Sequence, residues 1–402
     1  MNSSDSRGGV AALVTVLLLV AVIVVALVIH RPAASATNTA SSLACRQRLS
    51  FVMVDAGASL FAVAAASRQN AWAVGAKGTR ASIVHWDGRS WADTLLPAFG
   101  ATSSTLTAIA AAGPADVWAV GRADLAPLIL HWDGTTWTRV AAAPVAANSG
   151  LLSALAIAGP EDVWALGSAV RSQNGTPYTI AEHWDGRAWH VAPAPPGRTI
   201  IGAANGIGPG SAVIAATASA NSQQLARWDG QAWRLLPVPG GVSMQAIAGG
   251  AGGSIWAAGS YWPQGANWAA PILERWDGNT WSPADISQPE ARGAWLTSLA
   301  TSADGSVWAA GMLRNPNTRL DNAFVAHVDS HGKAESTGAG LYPASYSDPH
   351  NGDAFAVTAV AAMLGADGAW LVGTTGSTPD PSLPPIDSNL PTASGAFVLQ
   401  EC

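Results

Sequence analysis

The chain has 402 residues, of which 11% are charged and 49% hydrophobic, with a net charge of −6. Without a basic stripe, this balance excludes a nucleic-acid surface. No Ser–His–Asp set, Cys₂His₂ spacing or phosphate-binding glycine loop is present.

Residues 1–9 form a short tail before residues 10–29, VAALVTVLLLVAVIVVALVI, an apolar run without a charge. As a helix this run spans ~30 Å, the thickness of a bilayer core. It exceeds the usual signal-peptide core of about 7–15 residues, so it predicts an uncleaved transmembrane signal-anchor. Ala34-Ser35-Ala36 offers a cleavage site and keeps a secreted form open. Residues 30–44 are small and polar and read as a flexible stalk. The expected arrangement is a single-pass cell-membrane protein with residues 45–402 on the extracytoplasmic side and 1–9 in the cytoplasm.

From residue 45 onward the chain repeats itself. A short apolar strand returns seven times, as AWAVG (Trp72), DVWAVG (Trp118), DVWALG (Trp164), VIAA (Ile214), IWAAG (Trp256), VWAAG (Trp308) and AWLVG (Trp370). In five units a second phrase follows, Trp-Asp-Gly and then Trp after two residues. Residues 104–140 show one unit: LTAIAAA (106–112), DVWAVG (116–121), LILHWDG (128–134) and TTWTRV (135–140) are four short strand patterns with no room for a helix between them. The predicted fold is all-β, a seven-bladed β-propeller of four-stranded antiparallel blades.

Asp87-Gly88, Asp133-Gly134, Asp185-Gly186, Asp229-Gly230 and Asp277-Gly278 read as two-residue type I′ turns, which need positive φ at both positions. That turn pairs Leu130 with Trp137 and sets Trp132 diagonally from it. Sixteen of the 19 tryptophans occupy repeated positions and are expected to pack between blades. His85, His131 and His183 recur in the same phrase and become Arg227 and Arg275 later, which argues against metal binding. Asp116 and Asp162 read as turn carboxylates. The sixth unit departs, with His327 and Val328 in place of the His-Trp pair.

The last unit has FAVTAVAA (355–362), AWLVG (369–373) and a terminal strand 396–401, but no fourth strand. The strand at 49–54 supplies it from the other end, closing the ring. Aligned on the repeat, Cys45 and Cys402 meet where other blades carry Asp-Gly. A Cys45–Cys402 disulfide is therefore expected, and its need for an oxidising compartment orients the anchor.

DVWAVG and HWDGTTW together resemble the repeats of exported bacterial β-propellers similar in shape to the Kelch and galactose-oxidase central-domain group. The resemblance covers residues 46–402 and implies fold more than activity. Copper-radical chemistry within that group needs a Tyr–Cys crosslink, yet both cysteines here sit at the ring closure. The sialidase Asp-box is absent, since Asp and Gly are adjacent and no Ser precedes them.

Function is expected where the repeat symmetry breaks. Loops on one face lengthen in blades 5–7, at 259–270, 286–295, 311–322, 339–353 and 373–395. Tyr261, Trp262, Trp268, Trp295, Arg314, Arg319, Tyr342, Tyr346 and His350 fall there, with Arg292, Asp321 and Asp348. Aromatic platforms with a few polar groups suit sugars or peptides. The oxygen-rich run Asp348–Asp353 reads as turn chemistry, and no metal or cofactor is expected. The leading reading is a membrane-anchored binding module for a glycan, peptide or protein ligand. The alternatives are a sugar-directed hydrolase using acids of the same loops, and a structural ectodomain without a ligand.

Overall fold

Short apolar stretches bounded by glycine, aspartate and proline leave room for strands and tight turns only. The computed structural model describes residues 50–56, 58–145, 147–205, 212–220, 222–266, 268–286, 293–314, 321–341, 354–362, 369–376 and 395–401. All belong to one compact unit, Leu49–Cys402.

Strand β1 is Ser50–Ala56. The first blade follows as β2 (Ala58–Ser67), β3 (Asn70–Lys77), β4 (Arg80–Trp86) and β5 (Trp91–Asp93). The second is β6 (Ser104–Gly113), β7 (Asp116–Ala123), β8 (Ala126–Trp132) and β9 (Trp137–Val140). The third is β10 (Ser149–Gly159), β11 (Asp162–Val170), β12 (Tyr178–Trp184) and β13 (Trp189–Val191). The fourth comprises β14 (Thr199–Asn205), β15 (Val213–Ala218), β16 (Gln223–Trp228) and β17 (Trp233–Leu236). The fifth comprises β18 (Ser243–Gly249), β19 (Ile255–Tyr261), β20 (Ala270–Trp276) and β21 (Trp281–Pro283). The sixth comprises β22 (Ala294–Thr301), β23 (Val307–Arg314), β24 (Asp321–Val328) and β25 (Ala334–Leu341). β26 (Ala354–Ala362), β27 (Ala369–Gly376) and β28 (Gly395–Glu401) complete the series.

Six blades are therefore contiguous in sequence, each a four-stranded antiparallel sheet in simple order. This corrects the expected seven-bladed count to six contiguous blades. The remaining four strands form a composite sheet in the order β1-β28-β27-β26, drawn from both ends of the described chain. Phe51 faces Leu399 and Val52 faces Val398 in its closing pair. The innermost strands touch in turn, β2 to β6, β10, β14, β18, β22 and β26, and β26 touches β2 again.

The second strand of each blade is apolar on both faces because each face meets a neighbouring blade. Trp118 and Val120 of β7 pack with Leu152, Val163 and Trp189 of the third blade. Val117 and Ala119 of the same strand pack with Trp72 and Val74 of the first. The expected tryptophan packing between blades is present. The Trp118 ring lies 5.0 Å from Trp184 and 5.3 Å from Trp189, centroid to centroid, and Trp370 lies 5.3 Å from both Trp86 and Trp91. In the sixth blade Phe324 and Val328 join the cluster that buries Trp256.

Each innermost strand shifts register beside the second strand's glycine or its equivalent, as between Leu152 and Ala154, and β2, β6 and β10 shift a second time, as between Ile157 and Gly159. The backbone at the first shift crowds the glycine that ends the Trp phrase. A Cβ added at Gly167 would stand 2.0 Å from the Leu151 carbonyl oxygen, and one at Gly121 2.0 Å from that of Thr105. Glycine is required there by close backbone approach.

The Asp-Gly turns differ from expectation. Trp132 pairs with Trp137, and Leu130 with Arg139, so the loop has four residues. Gly134 has φ 97°, whereas Asp133 keeps the ordinary sign. The Asp133 carboxylate accepts hydrogen bonds from the Thr135 and Thr136 N–H groups, both 2.8 Å. Asp87, Asp185, Asp229 and Asp277 repeat this arrangement. A carboxylate that satisfies two loop donors replaces the type I′ geometry. Asp116 and Asp162 also act differently from simple turn residues. Each holds a histidine of the third strand, His131 and His183, at 2.9 Å from Nε2. Those imidazoles lie against the blade's own indoles, at 4.1 Å for Trp118–His131 and 4.8 Å for Trp164–His183.

No helix among the described residues is long and apolar enough to cross a membrane. Residues 10–29, with the rest of 1–49, lie outside the described residues. Among the described residues the fold is accordingly all-β, and the expected transmembrane helix is not carried forward. Membrane anchorage and the extracytoplasmic placement go no further. The Cys45–Cys402 disulfide is likewise withdrawn: both cysteines lie outside the described residues, and backbone pairing of β1 with β28 closes the ring.

Candidate functional site

Strand order places two sets of loops on one face: those from second to third strand within a blade and those between blades. The Asp-Gly loops occupy the opposite face. On the first face, blades 1 and 2 make tight hairpins, closed by Lys77–Arg80 and Ala123–Ala126. Asp124, at φ 51°, is the one non-glycine residue with positive φ among the described residues. Its carboxylate accepts from the Thr102 hydroxyl at 2.7 Å and the Ser103 N–H at 2.9 Å, which fixes it in that shape.

The fifth blade breaks the pattern. Tyr261 ends β19 and pairs with Ala270, leaving residues 262–269 as a loop. A turn forms where the Ala266 N–H donates to the Pro263 carbonyl at 2.9 Å, and the Gly293 N–H ties Ala269 to the start of β22 at 2.8 Å. Tyr261 is 37% exposed and Trp262 66% exposed. Trp268 is half-buried in the same loop.

Of the sequence-predicted residues, the structure thus brings Tyr261, Trp262 and Trp268 into one loop. Trp295 is half-buried inside β22, paired with Met312, and is not a loop residue. Arg314 ends β23 opposite Asp321. Arg319, Tyr342, Tyr346 and His350 lie outside the described residues, as do Arg292 and Asp348.

Sequence reasoning missed a groove of about 900 Å³ on the same face, between blades 2 and 3. Phe99, Leu125, Pro127, Arg139, Ala142 and Val145 are among its lining residues. Arg139 donates to the Phe99 carbonyl at 3.2 Å. Ala143, also in the lining, donates its N–H to Glu182 Oε2 at 2.7 Å. Glu182 is fully buried and its Oε1 has no partner. Burial pushes this carboxyl up to about 7, against the smaller opposing pull of the Ala143 hydrogen bond. The signal was legible: Val84, Leu130 and Ala226 hold the equivalent position in other blades, so a carboxylate there departs from an apolar pattern. Glu274 repeats the departure in the fifth blade, and burial raises its carboxyl too. Among the described residues, no group of three or more His, Cys, Asp or Glu side chains is arranged to hold a metal ion.

No family model matches the chain, and no curated protein matches its sequence. Solved structures match its shape. One is YCF48 bound to D1 peptide, at 14% identity and TM-score 0.54, covering 88% of this chain and 96% of that one. A second is a virginiamycin B lyase from Staphylococcus aureus with quinupristin, at 10% identity and TM-score 0.56, covering 88% and 98%. A third is the WD40 β-propeller domain of Doa1, at 10% identity and TM-score 0.53, covering 88% and 97%. At these identities the likeness shows the propeller fold alone. The resemblance to the Kelch and galactose-oxidase group is therefore corrected to this coarser statement.

Proposed function

We propose that the chain is an interaction module: a β-propeller that binds a glycan, peptide or protein ligand with the loop between β19 and β20. The observation that carries this reading is Trp262. The repeated tryptophans are spent between blades, whereas this indole stands 66% exposed beside a 37% exposed Tyr261. A loop that offers apolar ring area to water, in a repeat whose first two blades make two-residue turns, suits ligand contact. Two distant propellers of the same shape were solved holding a ligand, a D1 peptide in one and quinupristin in the other. They support the use of the architecture for binding.

The test is a glycan and peptide array probed with the full chain and with its Trp262→Ala and Tyr261→Ala variants. Binding by the parent that falls in both variants, at an unchanged melting temperature, is the expected result. Binding that survives both substitutions, or no binding by the parent, would overturn the reading.

A further inference from the structure

We propose that the β19–β20 loop recognises a neutral saccharide, an inference that rests on the interaction reading above. Three observations on this loop converge. First, two of its rings are available: Trp262 and Tyr261 are exposed. An aromatic face carries partial negative charge. It attracts the weakly positive C–H groups that line one side of a pyranose ring.

Second, the loop holds no ionised side chain. From Tyr261 to Ala270 the residues read YWPQGANWAA, and among the described residues of this stretch the polar side chain beyond the tyrosine hydroxyl is the exposed amide of Gln264. Amides both donate and accept, which matches hydroxyl groups that do the same. A charged peptide or an acidic polysaccharide gains its strongest contacts from ion pairs and bidentate carboxylate–guanidinium bonds. This loop offers none. The net charge of −6 also repels a polyanion at long range.

Third, the loop is anchored at both ends. Tyr261 pairs with Ala270, and the Gly293 N–H holds the Ala269 carbonyl at 2.8 Å. The internal Pro263–Ala266 turn shortens the free span further. A platform held this way loses less entropy when a flat ligand stacks on it. The groove between blades 2 and 3 is a different kind of surface, since Arg139 and Asp124 contribute charge to its lining.

The test is affinity electrophoresis of the full chain through gels containing one polymer each. Laminarin, glucomannan, arabinoxylan and dextran form the neutral set. Polygalacturonate, hyaluronate and heparin form the anionic set, and an immobilised mixed peptide library is run beside them. Retardation by at least one neutral polymer is expected, unchanged between about 0.1 M and about 1 M salt because no ion pair is screened. Trp262→Ala is expected to weaken it tenfold or more, and Trp262→Phe to restore part of it. Trp262-dependent binding confined to anionic polymers or to peptides would overturn the saccharide class and leave the interaction module standing. Neutral-polymer binding undiminished in Trp262→Ala would overturn the assignment to this loop. Absence of Trp262-dependent binding in all three sets would overturn both readings.

Discussion

Replacing Glu182 with Gln should remove a pH dependence built into the third blade. Glu182 is fully buried, with one oxygen bound to the Ala143 N–H and the other without a partner. Its carboxyl rises from 4.5 to about 7, chiefly by burial. At ~1.4 kcal/mol for each tenfold change in proton affinity, this amounts to about 3 kcal/mol. The sign follows from linkage: the folded chain holds this proton more tightly than the unfolded chain does. Its stabilising share is therefore full below 4.5 and is lost as the pH rises through about 7. Gln keeps an acceptor for the Ala143 N–H and cannot ionise. Burial lowers the pKa of His85, a contribution of opposite sign, so the informative quantity is the difference between the two proteins. The assay is urea unfolding followed by tryptophan fluorescence at about pH 5 and about pH 8. Near pH 5 the two proteins should differ by less than about 1 kcal/mol, and near pH 8 Glu182→Gln should be the more stable by up to about 3 kcal/mol. Parallel pH dependence in parent and variant would refute the reasoning.

Other outcomes follow from the packing. Gly167→Ala must displace the Leu151 carbonyl, 2.0 Å from the new Cβ, and should cost about 3 kcal/mol or more. Gly113→Ala meets nothing within 4 Å and should stabilise by about 0.4–1 kcal/mol; denaturant midpoints check both. Trp256→Ala opens the core between blades 5 and 6 and should cost about 3–5 kcal/mol, whereas Trp262→Ala should stay within about 0.5 kcal/mol. Loop hydrogen bonds pull the carboxyls of Asp133, Asp185 and Asp229 down to about 2, led by the N–H groups of Thr136, Ala188 and Ala232. The stability they lend is complete above 3.8 and disappears as the pH falls toward 2. A triple Asp→Asn variant should accordingly show a shallower acid limb in a melting-temperature profile.

The strands were legible because each repeat restates the same apolar phrase between turn residues. The inter-blade role of the tryptophans followed from that repetition, and the structure seats them there. The turn type was not legible. Asp-Gly is equally compatible with two central φ-positive residues and with an aspartate whose own carboxylate caps the loop, and only the register Trp132–Trp137 separates the two. The His131–Asp116 pairing was hidden for the same reason: residues 15 apart become neighbours only once the β7–β8 hairpin register is known. Trp295 was misplaced by a boundary. Ala294 and Trp295 pair with Leu313 and Met312, so the loop ends sooner than the local polarity of 286–295 suggested. The need for glycine at the close of the Trp phrase was not legible, because its cause, a bulged neighbour pressing a carbonyl against it, lies in the preceding strand. The groove between blades 2 and 3 arises from three separated segments, none of which carries a motif.

The composite sheet has a consequence for synthesis. β1 and β28 are separated by more than 300 residues of chain, yet each is the other's hydrogen-bonded neighbour. At about 5–20 residues per second, β1 leaves the ribosome tens of seconds before its partner exists. Throughout that interval the strand must stay unpaired beside six blades able to fold as they emerge, each presenting edges that pair with any extended segment. The first blade waits in the same way for Trp370, which fills the space against Trp86 and Trp91. Completion of the ring is thus timed by β28, and a chain stalled before β27 keeps both an open sheet and an uncovered tryptophan pair.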